Sequence, residues 1–208
     1  MNLSEIRHLY DRHPGMTALT KLLSSSKQSD NIALKGLQGS AAAMVLSSAF
    51  KEGDEQLVCI LSDLEEAGYF YNDVMQITGG EHVFFFPSAY RRAIKYGHID
   101  PANEILRTEV LSFLQSPPKK FVIVTYPDAL AERVVSKETL KENTLKISVD
   151  EKIDNMFVAD VLDQYGFERV DYVYEPGQYS VRGSILDVFS FSHEFPYRID
   201  FFGDEVET

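Results

Sequence analysis

The first stretch whose spacing could do chemistry is Leu34-Lys-Gly-Leu-Gln-Gly-Ser-Ala-Ala-Ala43, which has the framing of a phosphate loop. A working loop reads G-x-x-x-x-G-K-S/T. Its glycines bring backbone N–H groups against phosphate, its lysine meets the β- and γ-phosphates, and its hydroxyl holds Mg²⁺. Counted from Gly36, the closing glycine falls at Ala41, the lysine at Ala42 and the hydroxyl at Ala43. The cation and the metal ligand are both missing. Gly36, Gly39 and Ser40 could still offer N–H groups at a helix start, but hydrolysis is not expected and a structural tight turn is the preferred reading. Ala41-Ala-Ala-Met44 suits a helix packed closely on a sheet.

The second candidate is a pair of arginines with an aromatic. In Tyr197-Arg-Ile-Asp-Phe-Phe202, two-residue alternation puts Arg198, Asp200 and Phe202 on one face. Tyr197, Ile199 and Phe201 fall on the other and should face a core. Arginine and aromatics are the types enriched at interface hot spots, and Arg182 lies on a preceding strand, beyond a turn at Ser192–Phe195. A turn with an odd number of residues would bring Arg182 to the face of Arg198; an even one would need a bulge, for which Gly183 is the natural place. The competing reading is that both arginines pair internally with Asp187, Asp200 or Glu205 and that Phe202 is core.

Other reactive types are scattered. His8, His13, His82, His98 and His193 lack metal-ligand spacing, and His193-Glu194 is not followed by a second histidine at the zincin interval. No G-x-S-x-G element appears. Cys59 is the single cysteine, so no internal disulfide is possible, and within Leu57–Leu61 it is expected to be buried as a small apolar residue. Glu65-Glu66, Asp54-Glu55 and Asp204-Glu205 suit an acidic surface. No catalytic residue, metal ligand or cofactor ligand is assigned.

The elements that must position these residues follow from periodicity. Ile6, Leu9 and Tyr10, then Leu19, Leu22 and Leu23, recur at helical spacing around Pro14-Gly15. A polar connector spans Ser24–Asp30. Short apolar runs at Ile32–Leu34, Leu57–Leu61, Val83–Phe86 and Phe121–Thr125 then alternate with amphipathic segments at Ala41–Phe50, Asp63–Gln76 and Pro101–Gln115. That alternation predicts a parallel sheet covered on both faces, an α/β domain of degenerate nucleotide-binding type. The texture changes near residue 145. A helix follows with Phe157, Val161 and Tyr165 at four-residue spacing beside Val158 and Leu162, and Gly166 is placed to cap it. Strand-like runs at Val170–Tyr174, Tyr179–Phe191 and Tyr197–Phe202 predict a small antiparallel α+β domain. The expected domains are thus 1–145 and 146–208.

Composition narrows the function. The chain of 208 residues is 44% apolar and 25% charged, ample for a packed core and unlike a disordered chain. No apolar run approaches a membrane span and Met1-Asn-Leu-Ser-Glu5 is not a signal segment, so a reducing cytoplasm is expected. The formal charge of −12, from 32 acids against 20 bases, argues against autonomous duplex-DNA binding, which is driven by phosphate neutralisation. Lys119-Lys120 and Arg91-Arg92 are only pairs.

The run Pro176-Gly-Gln-Tyr-Ser-Val-Arg-Gly-Ser-Ile-Leu-Asp-Val-Phe189, followed by Pro196-Tyr-Arg-Ile-Asp-Phe-Phe-Gly-Asp-Glu205, resembles the UvrB-homology region. That region is shared by the nucleotide-excision-repair helicase UvrB and the bacterial transcription-repair coupling factors. The stripped loop at 36–43 is similar to the amino-terminal module of the latter. The resemblance implies a RecA/helicase-like, degenerate P-loop first domain and a small second domain that docks UvrA, with Arg182, Arg198 and Phe202 at the contacting positions. It implies a non-catalytic adaptor recruiting UvrA where RNA polymerase has stalled, cut as an engineered fragment from a longer ATP-dependent DNA translocase. RNA polymerase and DNA contacts, and ATP with Mg²⁺, would belong to the parent's other domains. Truncation is expected to leave apolar surface able to self-associate. Arg107 resembles a position in the family's first-domain helix, with no role beyond a surface or interdomain contact. The alternative is a fragment of a UvrB-like ATPase or damage-binding helicase.

Overall fold

The computed structural model describes residues 3–25, 31–52, 56–90 and 100–208. Asp54-Glu55, Arg91-Arg92, His98 and connector residues 26–30 lie outside the described residues. In chain order the elements are α1 (Leu3–Asp11), α2 (Pro14–Ser25), α3 (Ala41–Glu52), β1 (Gln56–Ile60), α4 (Leu64–Thr78), β2 (Val83–Phe86), α5 (Pro101–Phe113) and β3 (Phe121–Thr125). They continue as α6 (Pro127–Ala131), α7 (Lys137–Glu142), α8 (Asn155–Gln164), β4 (Glu168–Arg169), β5 (Gln178–Arg182), β6 (Ile185–Val188), β7 (Tyr197–Phe202) and β8 (Glu205–Val206). Two compact units result: Met1–Pro87 with Ser116–Glu132, and Ser88–Gln115 with Arg133–Thr208.

The first unit is built on a parallel sheet of order β1-β3-β2. All five residues of β3 are buried, as a two-sided apolar strand requires. Buried Thr125 donates its hydroxyl to the Phe86 carbonyl at 2.8 Å, so its polar atom is satisfied. Helix α4 packs on β2 and β3. It starts where Asp63 accepts from the Glu66 N–H (2.9 Å), and it ends at left-handed Gly79. Met16 and Leu19 of α2 pack on Ala49 of α3, which explains the helical spacing of the amino-terminal leucines; Leu9 and Leu22 stay exposed. Cys59 is only half-buried, on the edge strand β1, and desolvation still pushes its thiol up to about 11.

One expected strand is absent. Ile32–Leu34 forms no ladder and is exposed, so the loop Gly36–Ser40 enters α3 without a strand before it. Three apolar residues make a strand only where a sheet edge receives them. Among the described residues no strand pairs with the outer edge of β1, and Val58 and Ile60 on it are exposed. The geometry of a strand–loop–helix phosphate cradle is therefore not formed at this point.

The second unit carries a five-stranded sheet of order β4-β5-β6-β7-β8. It is mixed rather than purely antiparallel, because β4 runs parallel to β5. The expected strand at Val170–Tyr174 does not form, and a two-residue strand, Glu168–Arg169, stands just before it: Tyr172 and Tyr174 are exposed, and the Tyr174 and Glu175 N–H groups turn to the Gln178 side chain. The run Tyr179–Phe191 is not one strand either. It folds back at Gly183-Ser184 into β5 and β6, with Gly183 at φ 64, the left-handed conformation that a two-residue hairpin turn demands. Helix α8 covers one face through Val158, Ala159 and Leu162, packed with Tyr179, Leu186, Phe201 and Val206. Phe157 is exposed, so the Val158–Leu162 row is the buried one. Gly166 ends the helix as expected, with its N–H on the Asp163 carbonyl and that of Phe167 on Leu162. Arg107 of α5 is buried, not at the surface. No helix among the described residues is long and apolar enough to cross a membrane.

Candidate functional site

The site is the face of the second unit's sheet that looks away from α8. Cross-strand register sets it: Ser180 lies opposite Asp187, Asp187 opposite Arg198, Arg182 opposite Ile185, and Ile185 opposite Asp200. Because side chains alternate along each strand, Ser180, Arg182, Asp187, Arg198, Asp200 and Phe202 share this face. Tyr179, Leu186 and Phe201 go to the core opposite, with Val181, Val188 and Ile199 packed beside them. Tyr197, expected in that core, is about half exposed and meets His193 edge to face, ring centroids 5.0 Å apart.

The structure therefore brings Arg182 and Arg198 together, by a route different from the expected single turn. An intervening strand, β6, separates them. The two-residue turn at 183–184 and the eight-residue connection at 189–196 are both even. Each one inverts the parity of pairing and together they restore it, so no bulge is needed.

Asp187, on that middle strand, is the residue not singled out as a partner-site candidate. It is 8% exposed and receives both cations. Arg198 donates from Nε to Oδ1 at 2.7 Å and from Nη2 to Oδ2 at 3.0 Å, a two-point contact. Arg182 donates from Nη2 to the same Oδ2. Its guanidinium also lies over the Tyr172 ring, 5.0 Å from the centroid. The Arg198 hydrogen bond, followed by that of Arg182, holds the Asp187 carboxyl below its ordinary range against the opposing effect of desolvation. The same contact pushes Arg198 further up. The signal for this was present only in part: Asp187 is one of the three acids that could pair internally with the arginines, and the register of three strands selects it.

Half of the competing internal reading is thus realised, since both arginines pair with Asp187. The other half is not. The Arg182 and Arg198 side chains are 40% and 60% exposed, and Phe202 is 80% exposed, projecting from the face rather than entering the core. Two partly neutralised guanidinium groups and a bare aromatic ring, all on one sheet face, make a surface suited to contacting another protein. No proton-transfer or nucleophilic pair is built here.

At the other candidate, Gly36 and Gly39 take positive φ (84° and 53°) in an exposed loop, and the Ala41 N–H is already used by the Gln38 carbonyl at 3.1 Å. Ala41, Ala42 and Ala43 open α3, and Ala43 is fully buried. Nothing at those three positions can supply charge or a metal ligand. Among the described residues no group of three or more histidine, cysteine or acidic side chains could hold a metal ion.

Residues 145–208 match the family model of the UvrB interaction domain. The chain is 26% identical over 173 residues to the transcription-repair-coupling factor of Escherichia coli K12, a match covering 83% of this chain and 15% of that one. It is 27% identical to the Bacillus subtilis 168 protein of the same name, over 84% of this chain and 15% of that one. For the Haemophilus influenzae protein it is 28%, over 94% and 15%. The chain therefore spans about 15% of the length of these relatives. Over most of its length this chain is similar to the transcription-repair-coupling factors, and its residues 145–208 match the family model of the UvrB interaction domain.

Proposed function

We propose that this chain is a non-catalytic, UvrB-like adaptor that recruits UvrA for nucleotide excision repair at stalled RNA polymerase. Its docking surface is formed by Arg182, Arg198 and Phe202. The supporting observation is the exposure of all three on one sheet face, with the apolar partners of each strand buried on the other. Guanidinium groups pair with carboxylates on a partner, and the ring fills an apolar hollow. Translocation, ATP and Mg²⁺ use, and contacts with polymerase and DNA belong to other parts of the longer protein, as the relatives' greater length allows.

The test is a calorimetric titration of the chain with UvrA. Saturable binding is expected, and replacing Arg182, Arg198 and Phe202 together by alanine should abolish it. Unchanged affinity in the triple variant refutes the assigned surface. If the arginines act as exposed charges, added salt should weaken binding.

A further inference from the structure

We propose that Asp187 and Tyr172 are positioning residues for docking: they do not themselves grip the partner but hold the two arginine side chains in one binding-ready arrangement. The inference rests on the docking reading above and deepens it. A long arginine side chain on an open sheet face samples many rotamers, and a partner must order it on binding. Here that ordering is done in advance. Asp187 stands on β6, between the strands that carry the arginines, and its carboxylate is shared by both guanidinium groups. Tyr172, itself 60% exposed, supports the flat face of Arg182 from the loop before β5. Ser180, cross-strand from Asp187 and buried, donates its hydroxyl to the Asp171 carbonyl at 3.0 Å, which ties the Tyr172 loop to the same sheet.

The arrangement also specifies the partner's chemistry. Each guanidinium has five N–H donors. Arg198 directs two of its N–H groups to Asp187 and Arg182 one, so the Asp187 contacts leave most of their donors for a partner. Asp187 cancels one of the two positive charges and Asp200, on the same face, offsets the other. The partner therefore meets fixed hydrogen-bond donors with little net charge, on the same face as the Phe202 ring. A patch offering one carboxylate, further carbonyl acceptors and an apolar hollow fits it; a densely acidic surface does not exploit it.

The test measures UvrA affinity of the whole chain by calorimetry in about 0.15 M salt and above, where a Debye length of about 8 Å or less screens the long-range part of the charge change. Asp187→Asn should weaken binding about tenfold and Tyr172→Leu about threefold, both with a retained cooperative thermal melt; the exposed Tyr172 keeps the test valid if the Asp187 variant folds poorly. Added to an Arg182→Ala/Arg198→Ala background, Asp187→Asn should cost nothing further, because its action runs through those side chains. Wild-type affinity in Asp187→Asn and Tyr172→Leu, while the arginine variants lose binding, overturns the positioning role and leaves the docking surface standing. An equal further loss in the double-alanine background assigns Asp187 to fold maintenance and also overturns it. Wild-type affinity of the double-alanine variant itself sinks the docking reading, and this inference with it.

Discussion

Phe202→Ala separates binding from folding most cleanly. Its residue is 80% exposed, at the end of β7 just before the Gly203-Asp204 turn. An aromatic side chain offers about 200 Å² for burial, so roughly 160 Å² is available to a partner and about 40 Å² is already covered within the chain. At about 25 cal/mol per Å², the covered part contributes about 1 kcal/mol to folding, and covering half of the free area contributes about 2 kcal/mol to docking. The second figure corresponds to about a 30-fold rise in Kd. Calorimetric titration with UvrA reads the binding loss, and a thermal melt of the same preparation reads the folding loss. A change in Kd of less than about twofold, with the melt little changed, refutes the placement of the ring at the interface. A collapse of the melt would show instead that the ring supports the fold.

Three further outcomes follow from the same geometry. The Asp187 carboxyl titrates below its ordinary value in the folded chain, so its stabilising effect is complete above the unfolded pKa of about 3.9 and is lost as pH falls through the folded value. Urea unfolding at pH 5 and pH 3 should therefore show a larger stability loss for the wild type than for Asp187→Asn, and equal losses would contradict the ion-pair account. Gly177 has φ 85, and a Cβ there would land in the Phe191 ring, so Gly177→Ala should cost about 2 kcal/mol or more; an unchanged melting midpoint would refute that packing. Calorimetry with ATP and Mg²⁺ should give no saturable isotherm, since Ala42 and Ala43 stand where a phosphate loop needs its cation and hydroxyl. A tight isotherm would revive the ATPase alternative.

Local chemistry made much of this fold legible. The amphipathic segments that begin at Asp63 and Pro101 became α4 and α5, Gly166 closes α8, and the apolar runs of four or five residues became β1, β2 and β3. Two-residue alternation sent Phe201 inward and Phe202 outward without any knowledge of the neighbours. It erred at Tyr197, which lies where the core thins out beyond Ile199. Ile32–Leu34 looks locally like the other strands, but strand formation is a pairing event and no ladder received it.

The chain's residues by themselves determined that the phosphate loop lacks its cation, and that two arginines and a phenylalanine were available for recognition, because those are matters of side-chain type. Where the arginines sit relative to one another was decided only by tertiary structure. That depended on a hairpin turn at Gly183 and an eight-residue connection whose lengths jointly set register. Register, a non-local property of three strands at once, is what placed Asp187 between the two guanidinium groups and left Phe202 uncovered on the same face.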